Sequence, residues 1–488
     1  MNEQENRDSV LIPLKEQPEH FKEVLQKTAL WLALFIAAVF LISPFIQIIV
    51  RIFDMSGKPD IAWGTDQKFD WYYGQTMYHR MIDVIHFLTL LAAVVLYIYA
   101  AYSLFERRKE LKVKQVVTIF LPFLIFVVFC INIIVVTLIR GPEPFDIWGH
   151  YYMYESVYSY MRYPLVYFVA GLFISSPKLK KILLNVFMLT ALIHNILAII
   201  FYLGGKVPFF FKDEDMLTGV FLQYNHTGYY IVVTVITASM LFMYEKNIWL
   251  ALFDCVCASV GMVAMIFNTS RGSFLSIWVT LLLFSVYNFF VADRKTAPAD
   301  KKLSFIKRKP NFCRSLIIPC IFFVILIALS FNYNTVLSRF FTIFVDMKNV
   351  LTDPLGADDA GTRRWWLWKN TAYYLFTLHP FLGFGVEGLL KLGVETPHNE
   401  LLQYAAFFGI QSAVMYASSV AIILKRTFSR LRTLSPMTVV CLFTTIAYLV
   451  GSCFGVMIYY TTPYVYIFLG LTYSEYIKEK LSPQTVAD

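Results

Sequence analysis

Apolar residues along this chain gather into long runs separated by short polar, often basic, segments. A hydrocarbon core of about 30 Å, crossed at 1.5 Å per residue, needs about 20 apolar residues per helix. Twelve runs approach that length: 28–50, 82–105, 116–139, 163–176, 182–203, 227–244, 248–267, 272–292, 315–332, 400–424, 437–458 and 464–476. The pattern predicts an all-α, polytopic integral membrane protein with about 12 transmembrane helices. The fourth run is short and is expected to extend at its aromatic N-terminal end. The first starts too late and is too long for a cleaved signal peptide, and no small-residue cleavage site follows it, so it is expected to remain as a helix.

Basic residues orient these helices, because cytoplasmic loops retain Lys and Arg. With the N-terminus inside, the cytoplasmic segments 1–27, 106–115, 177–181, 245–247, 293–314, 425–436 and 477–488 carry 27 basic residues. The opposite short loops, 51–80, 140–162, 204–226, 268–271 and 459–463, carry 9 over a similar total length. Both termini are therefore expected in the cytoplasm, and the largest loop, 333–397, is expected outside, before the tenth helix.

Composition agrees with a membrane chain. Of 488 residues, 58% are hydrophobic, 17% aromatic and only 15% charged, against roughly 25% charged in soluble domains. The formal net charge of +9 is mostly the orientation signal; the basic run from Arg294 to Arg314 reads as an anchor near anionic lipid, and no nucleic-acid partner is implied. Six of the seven cysteines lie in apolar runs, with Cys313 in a basic loop. Their spacing matches no metal site, and neither a disulfide framework nor zinc is expected.

A loop as long as 333–397 inside a compact protein is usually functional. It holds amphipathic material around Phe340, Phe341, Phe344 and Val345, and then Arg363, Arg364, Trp365, Trp366 and Trp368. Arg271 sits in the short turn Asn268-Thr-Ser-Arg-Gly-Ser273, at or just within the expected outer interface. It reads either as a snorkelling arginine that ends a helix or as an anion ligand. Arg363 and Arg364 repeat the choice: a solvated loop with cation–π contacts to the tryptophans, or a bidentate grip on phosphate. His398 precedes the tenth run in Pro397-His-Asn-Glu400, where Pro397 and the polar residues make a helix start. Its imidazole is a cap or a base for a sugar hydroxyl. Glu395 and Glu400 are competing bases. Asp83, His86, His194, Asn195 and Asp254 lie within apolar runs, where polar groups often mark an ion or substrate path, and a proton-coupled transporter is a competing class.

Taken in order, the motifs of the second half resemble those of the bacterial O-antigen ligase and O-antigen polymerase superfamily. The resemblance covers about 217–425. It rests on Leu217-Thr-Gly-Val-Phe221, Asn225-His-Thr-Gly-Tyr-Tyr230, Asn268-Thr-Ser-Arg-Gly-Ser273, Gly361-Thr-Arg-Arg-Trp-Trp-Leu-Trp368, His379-Pro-Phe-Leu-Gly-Phe-Gly385 and Pro397-His-Asn-Glu-Leu-Leu-Gln403, followed by Phe408-Gly-Ile410. It divides the chain into a cytoplasmic segment 1–27, N-terminal transmembrane helices 28–216, the ligase/polymerase-like core 217–425 including the loop 333–397, and C-terminal helices with a cytoplasmic tail, 426–488. It implies a multi-pass protein of a bacterial cytoplasmic (inner) membrane with an external active site. The implied reaction is a metal-independent, inverting glycosyl transfer from a polyprenyl-pyrophosphate-linked glycan to a glycan or lipid acceptor, with no cofactor.

The resemblance implies that Arg271 and Arg364, with Arg363 as a neighbour easily confused with it, bind the donor pyrophosphate. His398 is the implied catalytic residue, and Asn399, Asn225 and Glu395 complete the candidate site as supporting residues. Ser412, three residues after Gly409, falls where ligase versions tend to differ, so polymerisation of surface polysaccharide is the favoured reading. Ligation to a lipid, wall or protein acceptor is the alternative, and a lipid-linked-oligosaccharide flippase or secondary transporter the more distant one. The topology yields a direct prediction. In intact cells a cysteine introduced at Ala357 should react with a membrane-impermeant thiol reagent and one at Ala299 should not; reversed labelling overturns the orientation.

Overall fold

The computed structural model describes residues 19–46, 77–106, 111–142, 147, 156–205, 207, 211–213, 216–221, 223–293, 305–331, 334–352, 358, 363–385, 388–394, 396–456 and 461–482. Ala299, Ala357 and Glu395 lie outside them, as do the side chains of Asp83, His86 and Phe340. In chain order come α1 Glu19–Leu41, α2 Met77–Glu106, α3 Val113–Arg140, α4 Val157–Phe173 and α5 Pro177–Tyr202. A small antiparallel hairpin follows, β1 Phe211–Asp213 and β2 Met216–Gly219, with Lys212 opposite Leu217. Then come α6 Tyr224–Tyr244, α7 Ile248–Asn268 and α8 Arg271–Tyr287, the last continued by a π turn over Asn288–Ala292. Short helices α9 Phe305–Arg308 and α10 Pro310–Ser315 lead into α11 Ile317–Ser330. The loop region holds α12 Asn334–Thr352, α13 Arg364–Thr377 and α14 Gly388–Lys391, and the chain ends with α15 Glu400–Phe408, α16 Ile410–Phe428, α17 Pro436–Ser452 and α18 Thr462–Leu481.

Among the described residues, 8 helices are long and apolar enough to cross a membrane. The protein is thus an all-α, multi-pass membrane protein. The four other apolar runs fall short for local reasons. The fourth does extend N-terminally, to Val157, where Ser156 caps the helix by accepting from the Ser159 amide at 3.1 Å. Run 437–458 stops as a helix at Ser452, and α18 is diluted by tyrosines and charges. The tenth run, expected as one helix, is two.

Central to the bundle is α6, which carries no Asp, Glu, Lys or Arg and is buried along nearly its whole length, as a helix without a charged face can be. It packs on α5, α7, α8 and α17. The Thr237 and Thr444 hydroxyls meet at 3.0 Å, and Tyr229 donates to the Gly451 carbonyl at 3.0 Å. By contrast α3 exposes Val128, Ile131, Ile134, Val135, Leu138 and Ile139 in one continuous apolar surface, which lipid chains can cover without a desolvation cost.

Polar contacts sort the connecting segments into two ends. At one end the buried Lys180 donates to Thr438 at 2.6 Å and lies 3.8 Å from Glu475, which also accepts from Thr438 at 2.6 Å and from the Ser435 hydroxyl. There too Lys181 pairs with Glu245 at 2.5 Å, Arg314 donates to the Phe242 carbonyl at 2.6 Å, and Arg430 pairs with Glu479. A buried charge without such partners costs several kcal/mol, so these pairs fix how α5, α17 and α18 meet. The hairpin, the α7–α8 turn, α12, α13 and the start of α15 share the other end.

Gly409 divides the tenth run. Its φ of 86° and ψ of 160° belong to a region that only glycine enters easily, and the break leaves carbonyls without helical partners. Each is answered. The Ala406 carbonyl accepts from the Phe384 amide at 2.7 Å, and that of Phe407 accepts from the Gly385 amide at 3.1 Å and from Arg140 at 3.2 Å. Phe408 accepts from Asn132, Gln411 and Ser412, while the Ile410 amide donates to Pro380 at 2.9 Å. The motif His379-Pro-Phe-Leu-Gly-Phe-Gly385 is therefore a backbone splint for a broken helix.

A Cβ on Gly409 would lie 2.1 Å from the Phe381 carbonyl oxygen, whereas one on Gly393, also at positive φ, meets nothing within 4 Å. Both substitutions carry backbone strain of about 1–3 kcal/mol. Only Gly409→Ala must also eject the splint, so its melting temperature in detergent should fall well below that of Gly393→Ala. Equal losses would show that the splint does not constrain the fold.

Candidate active site

Two motifs far apart in sequence form one hydrogen-bonded unit. Asn268 ends α7, and its amide nitrogen donates to the Leu217 and Tyr224 carbonyls, each at 2.7 Å. Thr269 then takes the left-handed conformation, φ 58°, so the chain turns and Arg271 opens α8. The Ser270 hydroxyl donates to Asn225 Oδ1 at 3.3 Å and to Ser273 Oγ at 3.0 Å. Gly228 permits the contact, since a Cβ there would come 2.5 Å from Ser273 Oγ. Asn225 thus accepts a hydrogen bond from the turn that leads into Arg271.

Arg271 reaches across to the loop helix α12. Its Nη1 donates to Thr342 Oγ1 at 2.8 Å and to Asp346 Oδ2 at 2.6 Å. The two adjacent arginines of the loop separate cleanly. Arg363 is exposed, at φ 64°, with its guanidinium 4.8 Å above the Trp366 ring. Arg364 is buried, its Nε has no hydrogen-bond partner, and Tyr224, Tyr229, Arg271 and Asp346 are the charges and dipoles acting on it. Burial, then Arg271, pulls its pKa below the ordinary guanidinium value, yet arginine stays protonated in proteins. Among the described residues, these two guanidiniums share one carboxylate, Asp346, an arrangement with more positive than negative charge that favours an anion.

His398 follows Pro397 with φ 49°, and its Nδ1 is buried without a partner. Burial first, and the Arg364 charge second, push its pKa down to about 4. The imidazole is therefore neutral at physiological pH. Asn399 is the N-cap of α15: its side-chain oxygen accepts from the Leu402 amide at 3.0 Å, and its amide nitrogen donates to the Cys453 carbonyl at 3.1 Å. The cap fixes the backbone next to His398, a supporting role of about 1 kcal/mol in ordinary helices.

The structure brings three further residues to this end, one of them, Glu400, already weighed as a base. His226, beside Asn225, is buried, feels the charge of His398, and has an unpartnered Nδ1. Its only signal was its position inside the Asn225-His-Thr-Gly motif. Glu400, weighed as a base, is buried with Tyr416 and Ser452 beside it, and no well-formed hydrogen bond reaches either carboxylate oxygen. Asp346 carried no motif at all. Of the intramembrane groups, His194 Nδ1 stands 3.1 Å from Asn195 Oδ1, and the ring packs edge-on against Tyr230 and Phe221 beneath Gly219 of the hairpin. Asp254 is buried on α7 near Lys181 and Glu245, at the opposite end. Among the described residues, no group of three or more His, Cys, Asp or Glu is arranged to hold a metal ion.

Comparison with known proteins adds one match. No curated protein matches the chain. A family model described as O-antigen ligase matches residues 255–417, a stretch that contains Arg271, Asp346, Arg364, His398 and the Gly409 break. The converging arginines, the histidine at the helix start and the broken helix thus fall inside the stretch, residues 255–417, over which this chain is similar to the O-antigen ligase family.

Proposed function

We propose that this protein transfers a glycan from a polyprenyl-pyrophosphate carrier to a hydroxyl acceptor, with inversion, at the external face of a bacterial cytoplasmic membrane, and that it extends a surface polysaccharide. The observation that carries the reading is the pair Arg271 and Arg364, which share one carboxylate beside a neutral histidine. Pyrophosphate is a good leaving group, so the protein needs chiefly to position the reactants and stabilise charge, without a metal. The acceptor oxygen attacks the anomeric carbon, the bond from that carbon to the pyrophosphate oxygen breaks, and its electron pair leaves on the pyrophosphate, held by the two guanidiniums. The His398 imidazole takes the hydroxyl proton. The polyprenyl tail lies in lipid or between helices, and the sugars lie under the loop that carries α12 and α13.

Ligation differs only in the acceptor. Ser412, the position that leans the reading toward polymerisation, accepts from Asn132 at 2.7 Å and donates to the Phe408 carbonyl at 3.0 Å, so it acts on the helix break. The test is purified protein given a defined lipid-linked repeat. A ladder of products without any other acceptor is expected, and its absence together with single transfer to a lipid core overturns polymerisation in favour of ligation. In the same assay Arg364→Lys and Arg271→Lys, which keep the charge but lose the planar fork, should lower turnover about 10²–10³-fold. Arg363→Lys, where the exposed guanidinium lies over the half-buried Trp366 ring, should keep most of it. Normal turnover in both of the first two variants would remove the clamp.

A base must be unprotonated to act, so activity is present above its pKa and lost as pH falls through it. For the free enzyme the acid limb of kcat/KM should lie near about 4, the value to which burial and Arg364 push His398. A bound pyrophosphate neutralises Arg364, so the limb of kcat should lie higher than that of kcat/KM. His398→Ala should cost about 10²–10⁴-fold in turnover while donor still binds. An unchanged pH profile in that variant would exclude the base role.

A further inference from the structure

Arg271 is already engaged. Asp346 and Thr342, its two acceptors, are four residues apart and so lie one turn apart on the same face of α12. The pair is not sealed in a core: the Arg271 and Asp346 side chains are 17% and 25% exposed, so an anion arriving from water can reach it. The helix that carries Asp346 packs chiefly on α8 and α11, while Phe341, Phe344, Val345 and Leu351 face outward. Few contacts oppose a shift of α12. Arg364, on the other side, has an Nε without a hydrogen-bond partner.

We propose that Asp346 is a specificity-determining residue of the transfer: its carboxylate occupies the donor's phosphate position on Arg271, must be displaced for the donor to bind, and pairs again to expel the spent carrier. This rests on reading Arg271 and Arg364 as the pyrophosphate site. A carboxylate tethered to the same chain competes at high effective concentration. A single phosphate gains little by replacing it. A pyrophosphate spans both guanidiniums and so wins the exchange, which selects carriers with two phosphates. The reaction also creates a release problem, since the departing pyrophosphate carries more charge than the glycosylated donor and binds a two-arginine site more tightly. The returning Asp346 opposes that trap.

The test uses the full-length protein in nanodiscs and two short probes, farnesyl pyrophosphate and farnesyl monophosphate. Asp346→Asn should bind the monophosphate about tenfold more tightly, as expected when a charged hydrogen-bond competitor is removed, with a smaller gain for pyrophosphate, so that the preference between the two narrows. Turnover should become more sensitive to added pyrophosphate probe. Asp346→Ser, measured alongside, should agree, and Asp346→Glu should restore the wild-type preference. An unchanged preference in both neutral variants, with probe binding lost in Arg271→Ala, overturns the role of Asp346 and leaves the clamp standing. Wild-type probe binding in both Arg271→Ala and Arg364→Ala removes the clamp and this role with it.

Discussion

A buried backbone carbonyl that loses its helical partner must find another donor, and the fold depends on how the break at the buried Gly409 meets that demand. The answer comes from three places in sequence: the amides of Phe384 and Gly385, the side chains of Asn132 and Arg140 on α3, and Gln411 and Ser412 just past the break. Satisfying the carbonyls ties the end of the loop region to α15. The other end of α15 carries Asn399 and His398. Thus the same hydrogen bonds that make a broken helix tolerable also set the depth at which the histidine stands.

The charged part of the site follows a different logic. Its arginines are placed by neutral groups, through the Asn268, Ser270 and Asn225 contacts and through the packing of α13. Among the described residues their charge is incompletely answered, with Asp346 the one carboxylate acting on Arg364 and bonded to Arg271. Rigid polar scaffolding combined with unbalanced charge is what an anion site needs, because the cost of holding the cations together is met before the ligand arrives.

Much of the helical framework was legible in the sequence because bilayer length is a constraint that composition states outright. The extension of the fourth run to Val157 and the helix start at Asn399 were legible too, one from aromatic content and one from capping chemistry. The break in the tenth run was not. Its glycine sits in an unbroken apolar stretch, and nothing local tells a tolerated helical glycine from one at φ 86°. The choice between Arg363 and Arg364 was equally closed to sequence, since the left-handed turn at Arg363 throws one side chain onto Trp366 and the other inward. Asp346, His226 and Glu400 gain meaning only from partners distant in the chain, which spacing cannot supply.

The central helix α6 has a consequence for biosynthesis. It carries Asn225, His226, Thr234, Thr237 and Ser239 along a buried surface, and polar groups of this kind prefer protein neighbours to hydrocarbon. Its partner in the Thr237 contact, α17, begins only after Pro436, and Thr444 emerges from the ribosome 207 residues later. Until then α6 has α5, α7 and α8 as its neighbours and one flank open. Closing that flank therefore falls to the last two helices to be made, through the Thr237–Thr444 contact and the packing of Tyr230 on Tyr464.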